Sequence, residues 1–551
     1  MGHLSRFKAY RSAFLPLLAT MALSIPALGA SAPRHPAAGP VYGGTLRTAF
    51  SDGYTFLDPA EASGSDSITL YYTMFDGLYK YDRTGQPQLD LAAAPPTVSA
   101  DRKTWTFTLR KNVVFSNGMP MTADDVKYSM LRMLDPHLGP PVSYCQSSND
   151  IYVGSHAYIL GKSKDVPGIQ VLDPYTIRFV LTQPTAILPY FLAVGCNFVV
   201  PKAVASKETE SQFSNHPIGT GPFMLQSYQK GVQATFVKNP HYFIPGRPYL
   251  DKVITYLNIP PSVIALKIQH GDIDAFADAI QIATPDLQQF MSDPKLRSYV
   301  VQSTPWVSIW IDINGADPLM KSLKLRQAIA MAIDRKRLVK LDGGNATPAY
   351  QLYEPAFPQY DPTLANHAVY PYDPVKAAAL VKASGYKGQE LVYMDRSGVP
   401  YFQAIAPGIQ QELQQIGLNV SVKTVSNTTY HVDRESLTNH EMDGFDWGID
   451  YYDASDLYSY TLDCAQNGDG GFSGAHYCDR RADALAHKAQ TLPLGATRNA
   501  LLRQAQMIIL QSATRIPLLY PKNIEIASPR IGGFYYQPTI GLQYEVYWLK
   551  K

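Results

Sequence analysis

At 551 residues the chain is too long for a single hydrophobic core and must divide into two or three domains. Hydrophobic residues make up 46% and charged ones 17%, a balance that excludes a disordered chain. Three of the 48 Lys and Arg (Arg6, Lys8 and Arg11) fall in an N-terminal leader. The remaining 45 face 46 Asp and Glu, which leaves no electrostatic footprint for nucleic acid or an anionic membrane.

The leader comes first in the chain. Its basic start is followed by an apolar run over 14–28 and by the small residues Ala27, Gly29, Ala30 and Ala32. This pattern predicts a secretory signal over 1–30, with a Pro- and Ala-rich disordered linker over 31–40. No cysteine follows the apolar run, so export without a lipid anchor is expected, and no later run is long enough to span a membrane.

Rapid alternation of strand, turn and helix then sets in. TWTFTLR (104–110) places Trp105, Phe107 and Leu109 on one face of a half-buried strand. After a turn at Asn117-Gly118, Thr122 and Asp125 have the spacing of a capping box, with Val126, Met130 and Leu134 following at helical intervals. Another alternating strand, TIRFVLT, begins at Thr176. The HPIGTGPF stretch at 216–223 has the glycines of a phosphate loop but neither its Lys-Ser/Thr pair nor its helix. SVIALKIQHGDIDAF predicts a helix, a Gly stop and a short strand. From Pro305 onward the text is α/β. VSIWIDIN is a strand, and LKLRQAIAMAIDRKRLV is one helix. Asp373-Pro374 opens a second helix that Gly385 closes. LVYM is a strand, Ile405 to Ile416 a helix, LNVSVKTV a strand. A single long helix over 483–513 and the strand IPLLYP finish the unit.

Between these last elements lies the densest stretch of recognition chemistry, FDWGIDYYDASDLYSYTLDC, with Trp447 and Asp450 near its start. Aromatic rings around one acid suit a small ligand carrying positive charge. Four cysteines in an exported chain point to disulfides rather than to a metal or a catalytic thiol. Of the three pairings, the nearest in sequence joins Cys464 to Cys478, closing a Gly- and Asn-rich loop worth roughly 3 kcal/mol. That leaves Cys145 with Cys196.

Catalytic spacings are missing. The sequence has no His-Glu-x-x-His pair, no Gly-x-Ser-x-Gly elbow and no Cys-x-x-Cys. Asp450, Asp453 and Asp456 lack the alternation of a calcium loop, and His431, His440 and His476 read as solvated loop residues rather than a metal site. The expectation is a binding protein, not an enzyme, with neither cofactor nor metal.

Several motifs together resemble family 5 of the bacterial extracellular solute-binding proteins, the receptors of ABC importers. They are LDP (57–59), FDGLYKYD (75–82), the block at 101–129, PIGTGPF (217–223), NPHYF (239–243) and LRQAIAMAIDR (325–335). The spacing of Trp447, Asp450 and Cys464 is similar to that of the dipeptide-binding members. The resemblance implies an α/β, periplasmic-binding-protein-like class II (cluster C) fold. Two lobes would be joined by a two-stranded hinge, with an extra third domain. Domain I would take 41–78, 172–305 and 530–551, domain II 79–171, and domain III 306–529.

Function follows in the same terms. The resemblance implies a monomeric periplasmic receptor that binds di- or short oligopeptides and delivers them to an inner-membrane permease and ATPase complex. Asp450 would hold the peptide ammonium, Trp447 would stand beside it, and Arg396 would bind the carboxylate. Gly64 and Ser65 would offer backbone donors, and Trp306 would line the pocket. A nickel chelate, haem, an oligosaccharide or an opine is the alternative ligand, and a sensor role beside a chemoreceptor the alternative use. Structural readings stand beside these: Asp450 as a turn cap, Arg396 as a solvated loop residue, Trp306 and Trp310 as core, and Arg326 as a structural ion pair.

Overall fold

The structure is a computed structural model. It describes residues 39–551 apart from 52–56, 62–64, 138–145, 147–148, 278–283, 304, 436–439 and 468–471. The expected signal over 1–30 therefore lies outside the described residues, as do Gly64 and Cys145.

Alternation along single strands explains how the cores are divided. In Val307–Ile313 the residues Ile309, Ile311 and Ile313 enter one core and Trp310 the opposite one, so the strand is buried on both faces. It lies inside a six-stranded sheet ordered Ala346–Pro348, Arg515–Pro521, Val307–Ile313, Met442–Gly448, Glu390–Arg396, Asn419–Val425. Helices Leu323–Ala332, Pro374–Ser384 and Pro400–Gln415 supply Leu325, Ala377 and Ile405 to the first face. Helices Arg480–Gln490 and Ala496–Ser512 supply Ala482 and Leu502 to the second. Each large side chain so enclosed contributes about 1.5–3 kcal/mol by leaving water.

Two further sheets share one core. A five-stranded sheet runs Ala275–Phe276, Thr45–Ala49, Lys252–Tyr256, Gln233–Lys238, Phe223–Gln229, and a four-stranded antiparallel sheet runs Thr97–Val98, Thr104–Thr108, Thr176–Val180, Ile169–Asp173. Leu46 and Val253 of the first meet Phe107 and Phe179 of the second in a continuous cluster. The chain leaves this half through Val300–Ser303 and returns through Asn523–Ile526. These two strands pair antiparallel from Val300↔Ile526 to Ser303↔Asn523. This is the two-stranded connection expected between the lobes.

The local readings at 104–134 hold. Trp105, Phe107 and Leu109 are all buried, and Asp125 Oδ2 accepts the Thr122 N–H at 2.8 Å ahead of helix Ala123–Met133. Asp373 caps Pro374–Ser384 through Lys376 N at 2.9 Å, and Gly385 closes it at φ 89°. The glycines of the PIGTGPF stretch serve packing: a Cβ on Gly219 would come within 2.1 Å of the Met74 carbonyl oxygen, and one on Gly221 within 2.3 Å of the Met74 carbonyl carbon.

Two helix expectations need correction. The helix read as continuous over LKLRQAIAMAIDRKRLV is two, Leu323–Ala332 and Arg335–Leu341. Asp334 breaks it because its carboxylate accepts from Lys336 N at 3.0 Å and Arg337 N at 3.3 Å, a cap that outcompetes continuation. The helix expected over 483–513 is likewise two, interrupted where Pro493 lacks a backbone donor and Gly495 takes φ 147°. The domain boundary expected at residue 171 falls within a strand, Ile169–Asp173, whose antiparallel neighbour is Thr176–Val180, so both belong to one sheet.

Candidate functional site

The candidate site forms where three strands of the six-stranded sheet end together. Val307 pairs with Gly448 and Ser308 with Trp447, so Trp306 stands beside the segment that leaves Met442–Gly448. Glu390–Arg396 runs parallel to that strand and brings Arg396 to the same end of the sheet. A Cβ on Gly448 would lie 2.2 Å from the Trp306 ring, so only glycine lets the indole lie flat there. Trp306 Nε1 points to Asn523 Oδ1 at 3.4 Å, on the returning hinge strand.

Asp450 is half-buried just beyond this edge. Its neighbour is another acid, Asp456, which is wholly buried. Asp456 Oδ2 accepts from Trp447 Nε1 at 3.0 Å and from Asp450 N at 3.2 Å, while its Oδ1 has no hydrogen-bond partner among the described residues. Burial pushes the Asp450 carboxyl up to about 7 despite its hydrogen bond with Asp456. Burial, together with the charge of Asp450, pushes Asp456 well above the usual carboxylate range. Both shifts have the same cause, burial of acids with no cation beside them. Asp453, the acid midway between them, is built differently: it meets Arg498 at 2.5 and 2.7 Å and forms a structural ion pair.

The same segment bridges the two halves of the protein. Tyr451 and Tyr460 are buried in the core shared by the five- and four-stranded sheets. The Tyr451 ring lies 6.1 Å from Tyr190 and 5.3 Å from Phe191, and Arg102 donates to the Thr491 carbonyl at 2.7 Å. Burial, with the charges of Asp450 and Asp456 adding to it, pushes the Tyr81 hydroxyl well above its ordinary value. Asp450 therefore sits within electrostatic reach of the opposite lobe, at the seam. Trp447 stacks on Tyr460 at 5.4 Å and meets Phe472 at 5.5 Å, forming a wall beside it.

Arg396 is engaged inside its own lobe. It pairs with Asp446, whose other carboxylate oxygen takes the Tyr401 hydroxyl, and its guanidinium lies 5.4 Å from the rings of both Phe402 and Tyr430. Ser65 opens helix Ser65–Met74. Trp310 is core, bonded to Asp312 at 2.8 Å. Arg326 donates to the carbonyls of Ser512 at 2.8 Å and Met320 at 2.6 Å, a structural role played through backbone rather than through an acid.

Cys464 and Cys478 are joined as expected, across a sequence separation of 14, and Cys196 is also disulfide-bonded. Asp483 lies beside the Cys464–Cys478 bridge, within 4.8 Å, but bridged sulfurs offer no thiolates to a metal. Of the three histidines considered, His440 stands 3.2 Å from Asp443 and His476 shares a 3.1 Å hydrogen bond with the Arg434 carbonyl. Asp456 is the site residue that sequence reasoning passed over. Its three-residue step from Asp453 was visible, but nothing in that spacing tells which acid meets an arginine.

The sequence model for "Bacterial extracellular solute-binding proteins, family 5 Middle" matches residues 86–469. Among curated proteins, "Di/tripeptide-binding protein 4" of Pseudomonas aeruginosa (strain UCBPP-PA14) is 27% identical over 463 residues, 80% of this chain and 83% of that one. "Probable D,D-dipeptide-binding periplasmic protein DdpA" of Escherichia coli (strain K12) is 27% identical over 497 residues, covering 88% and 90%. Among solved structures, the peptide-bound periplasmic binding protein DppA of Helicobacter pylori superposes with a TM-score of 0.76 at 25% identity, over 93% of this chain and 99% of that one. "Clavulanic acid biosynthesis oligopeptide binding protein 2" superposes with a TM-score of 0.83 at 22% identity, over 93% and 96%.

Proposed function

The chain belongs to family 5 of the bacterial extracellular solute-binding proteins, and from that premise we propose that it is the periplasmic receptor of an ABC importer. It takes di- or short oligopeptides between its lobes and hands them, as a monomer, to a membrane permease and its ATPase. The signal read over 1–30 would export it, and among the described residues no helix is long and apolar enough to cross a membrane. Lobe 2 would span 306–529, and the extra domain would extend past residue 171 to include Thr176–Val180.

One observation supports the reading: half-buried Asp450, whose N–H donates to the buried Asp456, stands at the lobe seam with no arginine or lysine paired to either acid among the described residues. A peptide ammonium would supply the missing charge, favour the ionised carboxylate and make charge-assisted hydrogen bonds worth about 1.5–3 kcal/mol each. Trp447 and Trp306 would wall the peptide in. Arg396 would be the anchor for the carboxylate end, sharing its charge with Asp446. Gly64 and Ser65 would add backbone donors, since the first N–H groups of a helix have no intrahelical acceptor.

Calorimetry with a dipeptide and its N-acetylated form tests this. Acetylation removes the positive charge and is expected to weaken binding at least tenfold; equal affinity would sink the role of Asp450.

A further inference from the structure

The helix break at Asp334 leaves a buried cation unanswered. Arg335 follows it directly and keeps only 5% of its surface exposed. Its Nε donates to the carbonyls of Ala349 at 2.9 Å and Pro517 at 2.7 Å. Its terminal nitrogens donate to nothing, and no carboxylate pairs with it, among the described residues. The two acids whose charge it feels are spent elsewhere. Glu412 takes Arg337 at 3.0 Å and Asp334 N at 3.2 Å, and Asp334 caps Lys336 and Arg337. Burial pulls the guanidinium down to about 10, which still leaves it charged at neutral pH.

A small pocket opens beside this residue. It has a volume of about 20 Å³, and its walls are Arg335, Tyr350, the irregular stretch 368–370 and the start of strand Arg515–Pro521. One water needs about 10–15 Å³, so there is room for a single atom-sized occupant but not for a carboxylate or phosphate group. No acid lines the pocket. Arg515 does, but its charge is answered by Asp312 at 3.0 Å. The backbone N–H groups of 368–370 donate to no described residue, and the Tyr350 ring lies 5.6 Å from the Arg335 guanidinium.

We propose that this pocket binds one monatomic anion, of the size and charge of chloride, as the counter-ion of Arg335. A buried cation without a counter-charge is costly, and here the donors stand around a space of the right size with no acid to repel an anion. Every lining residue belongs to the six-stranded half, and none belongs to the seam at Asp450. The anion therefore steadies this half and takes no part in holding the transported ligand.

Chlorine NMR on the full-length protein tests this. Wild type is expected to broaden the chloride resonance, and added bromide to reverse the broadening by displacement. Arg335→Met should remove the excess width. Ala368→Phe should do the same by filling the pocket, while keeping the guanidinium and its two carbonyl bonds. Melts in sodium chloride against sodium gluconate, at equal ionic strength, certify that each variant is folded. They should also show a chloride-dependent rise in Tm that wild type has and both variants lack. Crystals grown in bromide locate the ion without any variant, through its anomalous signal against Arg335. No broadening by wild type, broadening that survives in a folded variant, or bromide absent from this pocket would overturn the site. The receptor reading stands in each case.

Discussion

Asp312 and Asp443, deep in the six-stranded sheet, each meet an arginine, whereas Asp450 and Asp456, at the end of the same sheet, meet each other. Arg434 Nε reaches Asp443 at 2.9 Å and Arg515 Nε reaches Asp312 at 3.0 Å, while Arg434 also pairs with Asp312. Trp310 and Tyr430 add donors at 2.8 and 2.7 Å. Burial alone would push Asp443 up, but the Arg434 charge reverses this and holds it below the usual carboxylate range. Two cations answer two anions, and the set is closed. At the seam the charge is left open, and each carboxyl rises instead.

Breaking the closed set should cost most. Arg434→Leu strands the buried Asp443 carboxylate and takes one of two arginines from Asp312, and is expected to lower stability by about 3–5 kcal/mol in urea unfolding; a loss below about 1 kcal/mol would erase the contrast. Next in size is the clamp on the segment that carries Asp450. Replacing Cys464 and Cys478 by serine should lower stability by roughly 3 kcal/mol, the loop-closure value for a loop of that length, again by urea midpoint.

The open pair should respond in the opposite sense. Asp450→Asn is expected to leave the unliganded protein as stable or more so, because it removes an acid that has no counter-charge. It should weaken binding of free-amino dipeptides by about 1.5–3 kcal/mol, some 10- to 100-fold by calorimetry. Asp453→Asn, next door, should instead destabilise by exposing Arg498 to burial without its partner.

The smallest effect is graded with pH. Asp450 titrates near 7 when folded, against about 3.9 in an unfolded chain, so the native state binds more protons between those values. Stability of the unliganded protein should therefore fall as pH rises from about 4 to 7, by at most about 1.4 kcal/mol per unit. Peptide affinity should rise over the same window, because the ammonium binds the ionised pair and releases its proton. Thermal melts and calorimetry from pH 5 to pH 8 read the two slopes, and slopes of equal sign would break the assignment.

Features set by a few consecutive residues were legible before any fold was known. The alternation of Trp105, Phe107 and Leu109, the Thr122–Asp125 box, the Asp373-Pro374 cap and the short Cys464–Cys478 loop all depend on backbone geometry and side chains within one element. Trp447 and Asp450 were singled out by a pattern of the same local kind, an aromatic run around an acid. The two helix breaks were missed because both halves keep an apolar period, and the signal lies in Asp334 or in Pro493 alone. Only folding decided the partners. Asp446 claims Arg396 across 50 residues, Arg498 claims Asp453 across 45, and Tyr190 and Phe191 meet Tyr451 from the other lobe. Whether a buried acid is matched depends on which cation the chain brings within about 4 Å, and spacing along a strand carries no information about that.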